Sequence, residues 1–265
     1  MKKAYVIIHQ KYKMMGLTKF ISSDYKPPSE FDSMNAKYTL IKLLENNYDV
    51  ELIDFYDYSE RNFEKNSVFI ATQWLLNRFY DDEMFDKIRS KTITLFDYGN
   101  DFIFLHHFWN PGYFFTLSEI NGKEYETHQS SYIITELSKI KPEFLPENDK
   151  NNLDNYFQNK VIYQVSGEHP TLNGVREFIE NNRNQFKSDE FTYRFSQFKN
   201  ITTLVHKIPI TREPKDFICF GYAKKNNAYK FIIDIHGVGK YDAHAKLFLL
   251  LLENTLKFLD SKILE

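Results

Sequence analysis

The residues best suited to chemistry lie near the C-terminus, in residues 229–242 (YKFIIDIHGVGKYD). This stretch has an apolar run typical of a strand, then a turn with two glycines, then the start of a helix. Gly237 and Gly239 would let the backbone approach a ligand closely. In open α/β sheets such a turn leads to a helix N-terminus, whose N–H groups attract phosphate. The stretch therefore predicts a site for a phosphate-bearing ligand.

Two lysines could add positive charge to this site. Lys240 lies in the turn, and Lys246 lies in the helix that follows. A structural alternative stays open, in which the glycines only form a tight turn and both lysines are solvated. The turn is not the dinucleotide fingerprint, because it lacks a third glycine and the acidic residue expected about 20 positions later.

The same segment resembles the donor site of glycosyltransferase family 90. The resemblance is carried by residues 231–237 (FIIDIHG), the leucine-rich residues 243–258 and residues 260–261, with residues 217–221 (FICFG) similar to the strand upstream. That family includes capsule- and lipopolysaccharide-modifying enzymes and protein O-glucosyltransferases. The resemblance implies a metal-independent, inverting transfer of a sugar from a nucleotide sugar to a glycan or other hydroxyl acceptor, with no separate cofactor.

The resemblance also implies which residues hold the donor. They are Gly221, His236, Gly237, Gly239, Lys240 and Lys246. Lys246 stands where the family has arginine, which keeps the charge but loses the bidentate fork. The sequence reaches Glu265 without the aromatic and proline-rich segment of the family, so either the C-terminal lobe is short or the donor site is incomplete.

A catalytic base is predicted between residues 97 and 101 (DYGND). Residues 92–96 (TITLF) have the composition of a strand, and a carboxylate at the carboxyl end of a strand could deprotonate an acceptor hydroxyl. Asp97 and Asp101 are the candidates. The alternative is an Asx turn, in which these carboxylates only bind backbone N–H groups.

Other catalytic and metal sites have little support in the sequence. His106 and His107 are adjacent, so their side chains point in different directions and no metal site is predicted. His169 follows a predicted strand and would line a cleft or simply belong to a loop. A Gly-x-Ser-x-Gly elbow and a phosphate-binding Walker loop are both absent from the sequence.

The order of strand and helix patterns predicts an α/β fold. A strand at residues 4–8, a helix at 34–46 and a strand at 50–55 form a first β–α–β unit. The family resemblance extends this expectation to two Rossmann-like lobes in a GT-B-like arrangement. The polar residues 141–160 suggest the boundary, giving an acceptor-side domain at 1–145 and a donor-binding domain at 146–265.

Five further strands and two helices are predicted, together with a segment at residues 74–79 that is capped by Thr72. The strands are residues 67–71, 161–165, 217–220, 230–235 and 255–259, and the helices are residues 172–181 and 243–253.

Composition narrows the class of protein. The 265 residues carry 34 basic and 36 acidic side chains without a long block of either sign, so nucleic acid is not expected as a partner. Cys219 is the single cysteine, and the longest apolar run, residues 247–252, is too short to span a membrane. The sequence predicts a cytoplasmic protein, with peripheral membrane association left open.

A second function stays open beside the transferase, namely a non-catalytic α/β protein that binds a partner and derives from a transferase. The apolar run at residues 247–252 distinguishes the two, because it has to be covered by the chain's own sheet or by a partner.

Overall fold

The computed structural model describes residues 1–7, 30–71, 82–105, 161–187, 202–209, 217–235 and 241–262. These residues form an α/β structure built on one mixed sheet of eight strands. The elements in chain order are β1 (Lys3–Ile7), α1 (Glu30–Glu45), β2 (Asp49–Ile53), α2 (Phe55–Glu60), β3 (Val68–Ala71), α3 (Asp82–Asp97), β4 (Asp101–Leu105), β5 (Val161–Val165), a 3-10 turn (Pro170–Leu172), α4 (Val175–Asn181), β6 (Thr202–Pro209), β7 (Phe217–Lys225), β8 (Ala228–Ile233) and α5 (Asp242–Ser261).

The sheet has a parallel half and an antiparallel half. Its strand order is β2-β1-β3-β4-β8-β7-β6-β5. The first five strands run parallel, and β8, β7, β6 and β5 then pair antiparallel. Strand β8 belongs to both halves, because it pairs parallel with β4 on one side and antiparallel with β7 on the other.

The central parallel strands are buried along their whole length. All residues of β3 and β4 are buried, including Asp101 at the start of β4. Continuous burial is expected of parallel strands that are covered on both faces, whereas a strand with one wet face alternates. The edge strand β5 does alternate at its start, and its Ile162 is exposed.

Helices α3 and α5 cover opposite faces of the sheet. Lys230 of β8 places its Nζ 4.1 Å from the centre of the Phe96 ring of α3. The next residue, Phe231, has its ring 5.9 Å from that of Phe258 in α5. Successive side chains of a strand point to opposite faces, so the two helices lie on different sides.

Helix α5 begins at Asp242 and continues to Ser261, and the strand predicted at residues 255–259 is therefore wrong. Its buried positions follow the helical spacing of about 3.6 residues, which outweighs the strand propensity of a short apolar segment. They include Leu247, Phe248, Leu251, Leu252, Thr255, Leu256 and Leu259. The hydroxyl of Thr255 donates to the Leu251 carbonyl at 2.7 Å, which satisfies this polar group inside the helix.

The strand predicted at residues 92–96 is also wrong, because these residues form the last turns of α3. Ile88, Thr92, Leu95 and Phe96 are buried at helical spacing. The Thr92 hydroxyl donates to the Ile88 carbonyl at 2.8 Å and lies 2.7 Å from the hydroxyl of Tyr58. Asp97 consequently ends a helix instead of following a strand.

The predicted domain boundary and its polar connection, residues 141–160, lie outside the described residues. The described strands before and after it share one sheet, since β4 pairs with β8. The two-domain division stays a prediction. No helix within the described ranges is long and apolar enough to cross a membrane.

Candidate functional site

The carboxyl edge of the parallel strands is the candidate site, because ligands of open α/β sheets bind there. Strands β4 and β8 end together at this edge, where Leu105 is in register with Ile233. Two buried carboxylates directly follow described strand ends: Asp54 after β2 and Asp234 after β8. The predicted glycine turn begins two residues after Asp234.

Asp234 forms a buried ion pair with Lys207 of β6. The Lys207 side chain is 1% exposed and that of Asp234 is 8% exposed. The Lys207 ammonium donates to Asp234 Oδ2 and approaches the Asp234 carbonyl at 3.4 Å. The Asp234 N–H donates to the Cys219 carbonyl at 2.7 Å. Side chain and backbone of Asp234 are therefore both tied to neighbouring strands.

This ion pair fixes the chain at the point where it leaves the sheet. Removing two charges from water costs several kcal/mol per ion, which the mutual attraction offsets only when the geometry is good. Its structural effect is to hold the end of β8 against β6 and β7. The chain therefore enters the glycine turn from a residue, Asp234, whose position is fixed.

Cys219 lies beside this pair but does not supply a nucleophile. It is fully buried in β7, and burial raises the pKa of its thiol well above the usual range. The thiolate is the reactive form of cysteine, so a thiol that stays protonated is inert.

The other carboxylate of this edge, Asp54, caps α2. Its Oδ1 accepts the N–H of Asp57 at 2.9 Å, and its carbonyl accepts the N–H of Tyr58 at 2.8 Å. This is the usual bonding of an N-cap aspartate.

Helix α5 begins at the same edge. Tyr241 precedes its first residue and makes no side-chain bond to the first turn among the described residues. Lys246 is 60% exposed and pairs with Asp242 at 2.6 Å, four residues before it. An exposed pair of this kind contributes about 0.3–0.5 kcal/mol, so Lys246 can exchange this partner for another anion at little cost.

The remaining predicted donor residues are distributed differently. His236, Gly237, Gly239 and Lys240 lie outside the described residues. Gly221 is buried inside β7, where it is in register with Ile232 of β8 and not at the edge of the sheet. The donor-binding role of these residues stays a prediction.

Asp97 and Asp101 lie at the opposite, amino edge of the sheet. Asp101 is the first residue of β4, whose five residues span about 16 Å at roughly 3.3 Å each. The structure therefore does not bring these two carboxylates together with Asp234 or with the start of α5. The predicted role of Asp97 or Asp101 as a catalytic base stays a prediction.

Both predicted carboxylates are engaged in ion pairs. Asp97 is 45% exposed and pairs with Lys225 at 2.6 Å. Asp101 is buried, where it binds Lys2 at 3.0 Å and also Lys262, and it accepts the N–H of Tyr229 at 2.9 Å. Burial lowers the pKa of Lys262, although the adjacent carboxylate opposes this shift.

The Lys207–Asp234 pair was not found from the sequence. Asp234 carries a weak signal, a carboxylate at the end of an apolar strand, and Lys207 is a lone cation in the apolar segment TTLVHKIP. The two residues are 27 positions apart in the sequence, and strand β7 lies between their strands in the sheet. Local sequence spacing therefore does not predict their contact.

Comparisons with known proteins assign no family to the chain. No protein family and no curated protein matches the chain. Among solved structures, a cytoplasmic protein from Salmonella typhimurium is 12% identical, with a TM-score of 0.38 over 97% of this chain and 98% of that chain. A second cytoplasmic protein, from Salmonella typhimurium LT2, is 10% identical, with a TM-score of 0.37 over 98% of this chain and 99% of that chain.

Proposed function

We propose that this protein is a glycosyltransferase that takes its sugar from a nucleotide-sugar donor bound at the carboxyl edge of the sheet. One observation carries the proposal. The end of β8 is held by the buried Lys207–Asp234 pair, and from it the glycine-bearing turn leads to the start of α5. The glycine-bearing part of the segment with the family resemblance therefore follows the end of a strand at the edge where α/β proteins bind ligands.

In this proposal the donor diphosphate is held by the N-terminal turn of α5. The first N–H groups of a helix have no partner within the helix and favour an anion. Lys246 lies one turn into α5, and helical side chains lean toward the N-terminus. Its ammonium can therefore leave Asp242 and pair with a phosphate, with Lys240 and the amides of Gly237 and Gly239 as the further predicted contacts.

The proposed transfer requires a catalytic base, namely a carboxylate near the donor that accepts the proton of the acceptor hydroxyl. Asp97 and Asp101 would serve only if the acceptor reached the amino edge, about 16 Å along β4 from the carboxyl edge. We therefore place the base beside the end of β8, where Asp234 is the described carboxylate, because Asp54 follows β2, four strand positions away in the sheet. Asp97 and Asp101 then act in stability, through their lysine partners.

The finer sequence expectations belong to this proposal. A GT-B-like pair of lobes divided at residues 145 and 146 would need a second set of strands from residues outside the described ranges, since the described strands form one sheet. A glycan or other hydroxyl acceptor follows from the same family resemblance. The cytoplasmic location is carried over from the composition of the sequence, with peripheral contact with a membrane left open.

A binding protein without catalysis is the second candidate. It is favoured by the position of Asp97 and Asp101, which lie away from the donor edge in ion pairs. The leucine-rich run of α5 does not supply its partner surface. Leu247, Leu251 and Leu252 are buried within the chain, where α5 packs against β8, α1 and α4.

A ligand screen tests the proposal. Purified protein is heated with millimolar uridine or guanosine diphosphate sugars, and we expect at least one to raise the melting temperature because it binds only the folded state. Release of nucleoside diphosphate with an added acceptor would then separate a transferase from a binding protein. If no donor stabilises the chain, the proposed function is wrong.

A further inference from the structure

A concave surface lies away from the carboxyl edge, in the segment that follows β5. It is an open hollow of about 660 Å³, a volume within the range of sites that hold small molecules. Its lining residues are Val165, Gly167, Glu168, His169, Pro170, Leu172, Asn173, Gly174 and Arg176. We refer to these residues as the β5 pocket.

The loop that forms the β5 pocket is held rigidly. Asn254 of α5 donates to the carbonyls of Thr171 at 3.0 Å and Asn173 at 2.8 Å. The Leu172 N–H donates to the His169 carbonyl at 2.8 Å, and the Ser166 N–H donates to the Leu204 carbonyl at 2.8 Å. A loop fixed from several sides presents its side chains in a constant arrangement, as a binding site requires.

His169 is the best-fixed polar group of the pocket. Its Nδ1 accepts the N–H of Thr171 at 3.3 Å and lies 2.8 Å from the Thr171 hydroxyl, so its proton is on Nε2. The ring packs 4.9 Å from Tyr222 and 4.7 Å from Phe258, centre to centre. Burial lowers its pKa, so the ring is neutral at pH 7 and offers one fixed N–H donor.

The two charged groups of the pocket have opposite signs. Glu168 and Arg176 are both exposed, and neither forms an ion pair within the described part of the chain. A purely anionic ligand would be repelled by the Glu168 carboxylate, and a purely cationic one by the Arg176 guanidinium. The charges therefore disfavour a ligand of a single sign, and a neutral ligand with hydroxyl groups can use both, since Glu168 accepts and Arg176 donates hydrogen bonds.

The shape and apolar lining add a further condition. Val165, Pro170 and Leu172 give the pocket an apolar part beside its polar groups. The backbone is open at both ends of the loop, since a Cβ at Gly167 or Gly174 would meet no atom within 4 Å. A sugar ring fits both conditions, because it has hydroxyl groups at its rim and C–H groups on its faces.

We propose that the β5 pocket binds a neutral carbohydrate. Glu168 accepts hydrogen bonds from hydroxyl groups, Arg176 and His169 Nε2 donate to hydroxyl oxygens, and the apolar residues contact a face of the ring. This site does not depend on the proposed transferase. Asn254 lies eight residues beyond Lys246, which places the pocket about 12 Å further along α5 than the donor lysine.

Saturation-transfer NMR on the full chain tests this site with glucose, galactose, mannose and N-acetylglucosamine as probes. We expect at least one to bind, and its affinity to fall about tenfold in Arg176→Gln and in Glu168→Gln, since each loses a charge-assisted hydrogen bond. Arg183→Gln and Glu180→Gln are matched controls, because both residues are exposed nearby and do not line the pocket.

Three results would overturn the carbohydrate site. The first is that none of the four sugars binds. The second is that Arg176→Gln and Arg183→Gln have the same affinity for the sugar that does bind. The third is that gluconate, sulfate or glycine binds in an Arg176-dependent manner while the neutral sugars do not, which would assign the pocket to a charged ligand.

Discussion

Asp101 carries two lysine partners in a buried position, and this arrangement determines what its replacement should do. In Asp101→Asn the ammonium groups of Lys2 and Lys262 keep their burial but lose their counter-charge. Breaking a buried ion pair in this way costs about 3–5 kcal/mol. We expect a correspondingly lower midpoint of urea unfolding.

Asp97→Asn is the control for Asp101→Asn. The pair of Asp97 with Lys225 is about half exposed on both sides, so its loss should cost no more than about 1 kcal/mol. Equal destabilisation by the two changes would contradict the structural role assigned to Asp101.

His169 should make folding sensitive to mild acid. Its pKa is lowered by burial, so the folded chain binds a proton less readily than the unfolded chain. The stability that neutral His169 supplies is present above the unfolded pKa of about 6.5 and is lost as the pH falls below it. We expect urea midpoints of wild type and His169→Gln to converge between pH 7.5 and 5. A constant difference between the two urea midpoints over that pH range would contradict the lowered pKa of His169.

At the scale of elements, Asn254 joins α5 to the loop after β5. Asn254→Leu would leave the carbonyls of Thr171 and Asn173 without this donor, and Thr171 is fully buried. An unsatisfied buried group costs about 1–3 kcal/mol, and Asn173 is exposed, so water can replace the donor to its carbonyl. A total loss of about 1–3 kcal/mol is expected. Chemical denaturation measures it. Ser261→Ala, which removes one exposed bond within α5, should change stability by less than about 0.5 kcal/mol.

The elements that the sequence predicts correctly are those whose pattern is purely local. The strands predicted at residues 4–8, 50–55 and 161–165 were confirmed within two residues at each end. A short apolar run between two turn signals is typical of a strand, so the local pattern is enough to predict it. The strands predicted at residues 92–96 and 255–259 were wrong. Thr, Ile and Phe favour strands, but the spacing of the apolar residues in these segments fits a helix, and packing of that apolar face against the sheet stabilises the helix.

The ion pairs could not be predicted, because they join distant parts of the chain. Lys2 and Asp101 are 99 positions apart, and Lys262 and Asp101 are 161 apart. Strand order brings them together, and strand order depends on which strands pair, a property of the whole sheet. The end of a strand shortly before the glycine turn could be predicted from the sequence, and β8 does end at Ile233. The edge of the sheet on which Asp97 and Asp101 lie could not be predicted.

For the whole molecule, the proposed function places donor binding at the carboxyl edge of the sheet, whereas Asp97 and Asp101 form their ion pairs at the amino edge. Asp54, Asp234 and the start of α5 lie at the carboxyl edge, and the pairs of Asp97 and Asp101 lie at the amino edge. Single lysine changes at each edge separate these roles, because Lys246 and Lys225 are both exposed and each pairs with one aspartate.

Calorimetric titration of the stabilising nucleotide sugar into wild type, Lys246→Ala, Lys246→Arg and Lys225→Ala tests the central claim most directly. We predict several-fold weaker binding for Lys246→Ala, equal or tighter binding for Lys246→Arg because guanidinium binds phosphate bidentately, and unchanged binding for Lys225→Ala. All four should have nearly equal melting temperatures, since exposed pairs contribute little to folding. Equal affinity of wild type and Lys246→Ala, or a loss confined to Lys225→Ala, would contradict a donor site at the carboxyl edge.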